Sequence, residues 1–208
     1  EGMGPVIYAD REGHIWYGSE HGISMLQDEK WGTHILENDG ETNYVYSIIQ
    51  DSKGNMWFGT KNGVWKFDGS DWTNYSSESG LGSGSYKALA EDKDGTILVS
   101  QGLTIYSFDG NRWTPYVEDK ISASAIASVA PDRISSMVID KYGNKWIGTS
   151  RQGLYKFDGT IWSSYLNVKT LPASFVFNIL VDRQDNVWIT TTEGLAKYDG
   201  KQWEHIQD

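Results

Sequence analysis

Hydrophobic and polar residues alternate in short runs along this chain. Between Val45 and Tyr75 four runs follow one another, reading VYSIIQD, NMWFGT, GVWKFDG and DWTNY. Runs of this length, rich in Val, Ile, Phe, Tyr and Trp, are typical of half-buried β-strands. The breaks between them, SKG, KNG and GSD, are short and polar, as tight hairpins require. No ten-residue stretch with helical periodicity interrupts them, so the pattern predicts four antiparallel strands.

The same four-run unit recurs five times. One aspartate ends the first run of each unit, at Asp10, Asp51, Asp92, Asp140 and Asp182, with spacings of 41, 41, 48 and 42 residues. Six residues later stands a tryptophan in four units and a leucine in the third, namely Trp16, Trp57, Leu98, Trp146 and Trp188. A second series begins the fourth run, at Trp31, Trp72, Trp113, Trp162 and Trp203. Nine of the ten tryptophans therefore occupy two repeat positions, and only Trp65 lies outside them.

A period near 41 residues with four strands per unit predicts an all-β fold, a five-bladed β-propeller in one domain spanning residues 1–208. The predicted blades are residues 5–41, 42–82, 83–131, 132–173 and 174–208. The nine repeated tryptophans are expected to fill the spaces between adjacent blades. Each would bury roughly 200 Å², worth about 5 kcal/mol of gross transfer free energy at about 25 cal/mol per Å².

Closure of the ring is a separate question. The first unit begins with its own first strand, PVIYAD, and the fifth ends with its own fourth, QWEHI, so no strand is left over to complete a shared blade. We expect a closed ring in which the first and fifth blades meet through side-chain packing alone. Two alternatives remain open at this point: the chain is part of a longer array, or two copies complete each other.

The repeated phrase D-x-x-G-N-x-W-I-G-T followed by G-L-x-K-F-D-G is carried best by Asp51–Gly69 and Asp140–Gly159. It is present with changes in Asp10–Met25 and Asp182–Gly200, and the third unit, DKDGTILVSQGLTIYSFDG, departs most. The phrase resembles the two-component regulator propeller repeat. That resemblance implies the sensor portion of bacterial envelope histidine kinases, often hybrid kinases of gut Bacteroidetes, some of which recognise carbohydrate fragments. It also implies a periplasmic or extracellular location and a role in signal transduction, although such sensors commonly carry far more repeats than these five.

The amino-acid composition excludes several classes of binding partner and of functional site. The formal net charge of −10 argues against nucleic acid and against direct contact with an anionic membrane, because both need clustered Lys or Arg. The absence of cysteine excludes disulfides, thiolate catalysis and Cys-based zinc sites. No apolar run approaches the length that spans a bilayer, and the first residues, EGMGPVIYAD, do not read as a signal peptide, although a leader removed earlier remains compatible.

Catalytic signatures are weak. The four histidines, His14, His21, His34 and His205, are not spaced as a metal pair, and a His-centred lyase site for cyclic peptides finds little support in them. The 28 acidic residues contain no pair that the sequence marks as a glycosidase couple. Turns such as DSKGN lack the alternating carboxylates of a calcium loop, and the loop GLGSGSYK precedes a strand, so it reads as a connection between blades. We therefore expect no enzyme, no cofactor and no metal.

A ligand would bind on the face where the inter-blade loops meet the loops between second and third strands. The inter-blade loops vary most, as ENDGETN, SSESGLGSGS, VEDKISASAIASVAPDR and NVKTLPAS, and the longest is expected to fold over the central mouth. Where inner strands begin, the candidate ligand-binding residues are Tyr44, Tyr46, Tyr86, Lys87, Arg133, Phe175 and Phe177. In the short turns the candidates are Glu20, His21, Lys61, Asn62, Arg151, Gln152 and Glu193.

Aromatic faces together with amide and charged groups suit a sugar or a peptide. The prediction is a non-catalytic sensing propeller that binds an oligosaccharide or a partner protein and is either a monomer or a ring-completing homo-oligomer. A small hydrolase or lyase acting on carbohydrate or cyclic peptide is one alternative. A structural or assembly module is the other.

Overall fold

The structure is a computed structural model that describes residues 4–34, 37–38, 41–116, 133–165 and 175–206. These residues form five four-stranded antiparallel sheets in a ring, which confirms the predicted five-bladed propeller. The described residues contain no α-helix and one short 3-10 turn, Ser77–Ser79. The predicted blade limits fall between the four-stranded sheets and partly outside the described residues, and the first limit divides the short strand Glu41–Thr42. The limits stay predictions.

Each blade takes its strands in chain order from the inside of the ring outwards. Blade one contains β1 (Val6–Ala9), β2 (Ile15–Ser19), β3 (Gly22–Gln27) and β4 (Lys30–His34), and a small hairpin of β5 (Glu37–Asn38) and β6 (Glu41–Thr42) follows it. Blade two contains β7 (Val45–Gln50), β8 (Met56–Thr60), β9 (Gly63–Phe67) and β10 (Trp72–Tyr75). Blade three contains β11 (Tyr86–Glu91), β12 (Ile97–Gln101), β13 (Thr104–Phe108) and β14 (Trp113–Pro115). Blade four contains β15 (Ile134–Ile139), β16 (Lys145–Thr149), β17 (Leu154–Phe157) and β18 (Trp162–Ser164). Blade five contains β19 (Val176–Val181), β20 (Val187–Thr191), β21 (Gly194–Tyr198) and β22 (Trp203–Ile206).

The repeated aspartate and the tryptophan six residues later are joined by a hydrogen bond. In blade two the indole Nε1 of Trp57 donates to Asp51 Oδ2 (2.8 Å), and the backbone N–H groups of Lys53 and Asn55 donate to Asp51 Oδ1 (3.0 and 2.8 Å). The same indole-to-carboxylate bond joins Trp16 to Asp10 (2.8 Å), Trp146 to Asp140 (3.0 Å) and Trp188 to Asp182 (2.8 Å). One carboxylate therefore fixes both the first hairpin turn and the orientation of the indole. We call this arrangement the Asp–Trp turn.

The third unit replaces this bond with one between blades. Leu98, fully buried, stands where the other units have tryptophan, and it has no donor to offer Asp92. The ammonium of Lys145, from blade four, instead lies 2.9 Å from Asp92 Oδ2 and is almost completely buried. In the third unit, an ion pair with the neighbouring blade therefore takes the place of the indole-to-carboxylate hydrogen bond.

The hydrophobic core lies in four separate clusters, one between each pair of consecutive blades. We call the contact between the front face of one blade, which looks toward the next blade in chain order, and the rear face of that next blade a junction. The indoles of the second strands point into three of these junctions, where Trp16 meets Phe58 and Trp72, Trp57 meets Phe108 and Trp113, and Trp146 meets Tyr198 and Trp203. Leu98 and Ile147 fill the remaining one.

The fifth junction, between blades five and one, differs from the closed packing that we expected. Ile7 on the rear face of blade one is 66% exposed, whereas Ile48 at the same repeat position is 5% exposed. Leu180 on the front face of blade five is 62% exposed. Two of the repeated tryptophans do not fill a space between blades, contrary to the prediction: Trp31 on the rear face of blade one is 57% exposed, and Trp188 on the front face of blade five is only half-buried. The described residues form no buried cluster at this junction.

Candidate functional site

The turns between second and third strands lie beside the entry to the first strand of the same blade. The N–H of Lys61 donates to the carbonyl of Tyr44 (2.9 Å), and the N–H of Asn62 donates to Asn43 Oδ1 (2.9 Å). In blade four the N–H of Ser150 donates to the carbonyl of Arg133 (3.1 Å). Predicted site residues from two kinds of loop therefore share one rim of the propeller, which we call the loop face.

Irregular strand pairing marks the inner edge of that face. The register of β7 with β8 shifts between Val45 and Ser47, and the register of β19 with β20 shifts between Val176 and Asn178. Tyr46 and Phe177 occupy these shifts, and Lys87 lies within the equivalent shift of β11. A bulge changes the direction in which its side chain points. These three predicted site residues therefore do not follow the regular alternation of side chains between the two faces of the sheet.

Aromatic rings collect at two places on the loop face. The rings of Tyr44 and Tyr46 lie 5.0 Å apart, and those of Phe175 and Phe177 lie 4.6 Å apart. Burial raises the pKa of Tyr44, and the negative charge of Glu20 in the blade-one turn raises it further. The charge of a turn in blade one therefore influences a residue at the entry to blade two.

Two cations converge next to the tyrosine pair. The ammonium of Lys87 lies 5.4 Å from the centre of the Tyr46 ring, a cation–π distance. Burial lowers the pKa of Lys87, and the neighbouring positive charge of Arg133 lowers it further. Within the part of the chain that the structure describes, neither cation makes an ion pair with a carboxylate. A partly buried lysine held beside an arginine favours an anion between them.

Lys87 and Arg133 line a pocket of about 370 Å³ between blades three and four. Its other walls are the small or polar residues Ser83, Gly84, Ser85, Gln101 and Gly102, together with the apolar Ile134. The loop that carries the serines is held in place because the amide of Gln101 donates to the carbonyl of Ser83. The pocket therefore offers two positive charges and several hydrogen-bonding groups over a concave surface.

Tyr86 plays a different part from the one predicted. Its side chain is 1% exposed, its hydroxyl donates to the carbonyl of Gly82, and burial raises its pKa to about 12. It lies under a second pocket of about 200 Å³, which shares Ser83 and Gly84 with the first. Tyr86 thus supports the loop as a core residue, and its ring does not offer a surface for stacking.

The remaining predicted residues are not among those that line the cationic pocket. Gln152 accepts a hydrogen bond from the hydroxyl of Tyr155 (3.0 Å), and the backbone carbonyl of Glu193 lies 2.8 Å from His205 Nε2. His21 is highly exposed beside Glu20, and Arg151 is exposed in the turn after β16. The longest inter-blade loop, predicted to fold over the mouth, spans residues 117–133, of which the structure describes only Arg133.

Gln101 and the individual residues of the serine loop were not among the predicted ligand-binding residues, although the inter-blade loop that contains these serines was placed on the ligand face. The stretch GLGSGSYK was rejected only as a phosphate-binding loop, because a strand and not a helix follows it. A usable signal existed at Gln101, which stands where the units of blades two, four and five have Thr60, Thr149 and Thr191. Those threonines cap their own turns through hydroxyl bonds to Gly63, Gly153 and Gly194, whereas Gln101 reaches out to the serine loop.

One group of side chains has metal-ligand types in close proximity. Asp10, Glu12 and His14 place one ligand atom each within 4.8 Å of one another. Asp10 Oδ2 already accepts from Trp16 Nε1 and contacts His14 Nδ1 (2.9 Å), while its Oδ1 accepts two backbone N–H groups. The group is therefore accounted for as the Asp–Trp turn of blade one.

Comparison with known proteins supports the family resemblance. Residues 39–62 and 170–193 match the family model described as "Two component regulator propeller", which confirms that the chain carries repeats of that kind. Among curated proteins, none matches this sequence.

Solved structures with the same fold include extracellular domains of bacterial regulatory systems and enzymes. The extracellular domain of the putative hybrid two component system BT3049 from B. thetaiotaomicron aligns with a TM-score of 0.75 at 21% identity, covering 92% of this chain and 27% of that one. The extracellular domain of the putative one component system BT4673 from the same organism aligns with a TM-score of 0.68 at 19% identity, covering 89% and 26%. Virginiamycin B lyase from Staphylococcus aureus aligns with a TM-score of 0.72 at 14% identity, covering 98% and 70%. The chain spans about a quarter of the length of the two B. thetaiotaomicron domains, and these identities show the fold alone. None of the described residues belongs to a helix long and apolar enough to cross a membrane.

Proposed function

We propose that this propeller is a non-catalytic, ligand-sensing module of a bacterial two-component system, located in the periplasm or outside the cell. Its ligand is an oligosaccharide that carries carboxylate or sulfate groups. The regulator-propeller repeats support the sensing role, and the extracellular domains that share the fold support the location. The observation that carries the ligand class is the convergence of Lys87 and Arg133 in one pocket.

Charge is the first step of the argument. The chain as a whole carries a formal net charge of −10, so its long-range field repels anions. Two cations held together at a pocket in such a chain are costly unless something negative joins them, because like charges repel, and, beyond the effect of burial, the positive charge of Arg133 lowers the pKa of Lys87. A bidentate guanidinium and an ammonium suit the carboxylate or sulfate group of an acidic sugar.

The surroundings of the cations supply the second step. Tyr46 presents an aromatic ring next to Lys87, and Tyr44 extends that surface toward blade one. Gln101 and the serines of the loop provide donors and acceptors for hydroxyl groups. Sugar rings bind through this combination of a flat apolar face with directional polar contacts. A concave pocket of about 370 Å³ also suits a small molecule better than a flat protein surface.

Isothermal titration calorimetry with three probes tests the proposal. The probes are a galacturonic acid tetramer, a sulfated disaccharide and a neutral glucose tetramer, each at low and at physiological salt. We expect at least one acidic probe to bind, the neutral tetramer not to bind, and the affinity to fall as salt rises. Lys87→Gln and Arg133→Gln should each weaken binding at least about tenfold, since each removes one charge-assisted contact.

Lys201→Gln is the matched control, because Lys201 is an exposed lysine in the β21–β22 turn on the opposite rim. It should bind as the unaltered chain does. Binding of the neutral tetramer with equal affinity would contradict the charge argument. Mass spectrometry of the probes after incubation adds a second test, because any reaction product would identify the protein as a lyase or a hydrolase instead. Capture of a protein with no affinity for any sugar probe would replace the oligosaccharide with a protein ligand.

A further inference from the structure

The first junction, between blades one and two, contains a pocket of about 240 Å³ among its outer strands. Most of its walls are aromatic or apolar side chains, namely Trp16, Ile23, Met25, His34, Phe67 and Trp72. Gly32 and Thr33 complete the walls, and both are exposed, so the pocket can be reached from solvent. It shares no lining residue with the cationic pocket between blades three and four.

In the other three junctions a tyrosine ring packs at the equivalent place. Tyr75, Tyr116 and Tyr165 each stand three residues after the tryptophan that begins the fourth strand, and each packs against the core cluster of its junction. The ring of Tyr75 stacks on the indole of Trp57, with ring centres 5.8 Å apart. The ring of Tyr165 stacks on Trp146 at the same distance, 5.8 Å. The tyrosine therefore covers the second-strand indole of its own blade.

Blade one has a histidine at this position, and its ring lies elsewhere. His34 stands three residues after Trp31, as each tyrosine stands after its own tryptophan. Its imidazole stacks on Trp72 of blade two, with ring centres 4.2 Å apart and ring planes 3° apart. The rings that Trp16 contacts all belong to blade two, namely Phe58, Phe67 and Trp72. The place of the tyrosine ring beside Trp16 is thus left to the pocket.

A second substitution in blade one lies beside the first. In blades two, four and five a lysine pairs with the second-strand tryptophan, and its ammonium lies over the indole, as that of Lys156 lies 5.1 Å from the centre of the Trp146 ring. Met25 takes the lysine position opposite Trp16. Blade one therefore lacks both groups that cover the indole elsewhere. The methionine also removes a positive charge and supplies a polarizable thioether, which packs well against aromatic rings.

The aromatic side chains that blade two contributes to this junction are incompletely covered. Phe67 and Trp72 are only half-buried. Their equivalents in the second junction, Phe108 and Trp113, are 9% and 1% exposed. The first junction is therefore short of an aromatic ring, and the side chains around the gap are those that a ring packs against.

We propose that this pocket binds a small uncharged molecule with a planar aromatic ring, in the place that a tyrosine ring fills in the other three junctions. Apolar cavities of about 150 Å³ hold a benzene ring, so this larger pocket accommodates one ring or two fused rings. Offset stacking and edge-to-face contacts with Trp16, Phe67 and Trp72 favour a planar ligand. No lysine, arginine or carboxylate is among the lining residues, so a charged ligand would lose its hydration without a partner. This site is independent of the proposed sugar binding.

His34 adds one polar group to the pocket. Burial lowers its pKa, so the imidazole is neutral at pH 7. A neutral imidazole has one N–H donor and one acceptor nitrogen. An aromatic ligand that carries a hydroxyl group or a ring N–H, such as phenol or indole, can therefore combine stacking with a hydrogen bond.

Isothermal titration calorimetry with four probes tests the ligand class. Phenol and indole are the aromatic probes. Cyclohexanol carries the hydroxyl group of phenol on a saturated ring that is not planar, and benzoate carries a negative charge on an aromatic ring. We expect phenol and indole to bind, and cyclohexanol and benzoate to bind at least about tenfold more weakly.

Two substitutions restore in blade one the residues that the other blades have. His34→Tyr should fill the pocket with the chain's own ring, and Met25→Lys should place an ammonium over Trp16. Each should weaken indole binding at least about tenfold without lowering the urea midpoint, because the introduced residues already occur at these positions in the packed junctions. Ile161→Tyr is the control, because Ile161 is 62% exposed in the β17–β18 turn and lies outside the pocket. It should bind indole as the unaltered chain does.

Absence of binding by both aromatic probes would overturn the proposal. Unchanged indole affinity in both pocket variants would also overturn it, since the molecule would then bind elsewhere on the chain. Binding of cyclohexanol as tight as that of phenol would show a general apolar cleft in place of an aromatic site.

Discussion

Residues at the same repeat positions are buried in the junction between blades four and five and exposed in the opening between blades five and one. At the first, Trp146 is buried against Tyr198 and Trp203, and its indole donates to Asp140. At the second, Trp188 makes the same bond with Asp182, yet it is only half-buried. The difference lies in the presence of a following blade, because the turn that orients each indole is identical.

This comparison separates two contributions that the repeat combines. The Asp–Trp turn is local, and it forms in blade five without a neighbour. Burial of the indole is not local, since it depends on the rear face of another blade. A repeat protein gains stability from both, and its terminal faces carry only the first. Paired substitutions at equivalent positions therefore measure what a junction adds.

The largest effect is expected from removing an indole. Trp146→Ala should lower the free energy of unfolding by about 3–5 kcal/mol, because it leaves a cavity in the junction and removes the partner of Asp140. Trp188→Ala removes the same hydrogen bond from a half-buried position, and it should cost about 1–2 kcal/mol. Urea denaturation followed by circular dichroism gives both values. Equal losses for the two variants would show that the fourth junction contributes nothing.

Aliphatic residues of the rear faces give a second pair. Ile179→Ala in blade five should cost about 2–5 kcal/mol, because Ile179 is buried against blade four. Ile7→Ala in blade one should change stability by less than about 0.5 kcal/mol at low protein concentration. The measurement is again a urea midpoint with an unchanged slope. A large loss for Ile7→Ala in a monomeric sample would mean that its face is covered by the chain's own fifth blade.

Glycine replacement tests the closeness of a packed junction. Gly148→Ala places a methyl group 2.7 Å from Val176, so we expect a loss of about 1–3 kcal/mol from overpacking. Thr190→Ala, at the equivalent position in blade five, only shortens an exposed side chain and should stay within about 0.5 kcal/mol. Thermal melts of the two variants check this difference. An unchanged melt for Gly148→Ala would contradict the tight approach of blades four and five.

The smallest effect concerns acid stability at the open blade. Hydrogen bonds from the indole of Trp188 and the amide of Asn186 lower the pKa of Asp182 from 3.8 to about 2. Because the folded pKa lies below the unfolded value, this carboxylate stabilises the fold above about pH 4, and the contribution is lost as the pH falls toward 2. Asp182→Asn should therefore flatten the dependence of the urea midpoint on pH in that window. An unaltered slope in the variant would show that the bond to Trp188 does not favour the charged carboxylate.

Much of the fold could be predicted from the sequence because its information is local. Alternation within Val45–Tyr75 identifies the strands, and the spacing of Asp51 from Trp57 identifies the repeat. The hydrogen bond between those two residues was not predicted, although its signal was present: the third unit keeps Asp92 without a tryptophan and changes the turn as well. Spacing alone describes positions and does not reveal which atoms bond.

Ring closure and the candidate site were harder to predict from the sequence, for a physical reason. The angle between blades is set by packing at each junction, and no pattern within one unit encodes it, so the exposure of Trp31 could not be predicted. The loop face was predicted from topology, and Lys87 and Arg133 were among its candidates. Their convergence depends on how blades three and four approach each other, and the burial of Tyr86 depends on the serine loop that covers it. Neither follows from the order of the residues.

Disulfide trapping tests most directly whether the fifth junction is open within one chain. The chain has no cysteine, so Ala9→Cys with Arg183→Cys introduces one thiol on each open face, at the positions where Ser52 Oγ meets Glu91 Oε1 (2.6 Å) across the second junction. Ser52→Cys with Glu91→Cys is the control and should oxidise within one chain. We predict that the Ala9 and Arg183 double variant forms no disulfide within one chain under mild oxidation, whereas the control does. A disulfide within the monomer, formed as readily as in the control, would contradict the open junction.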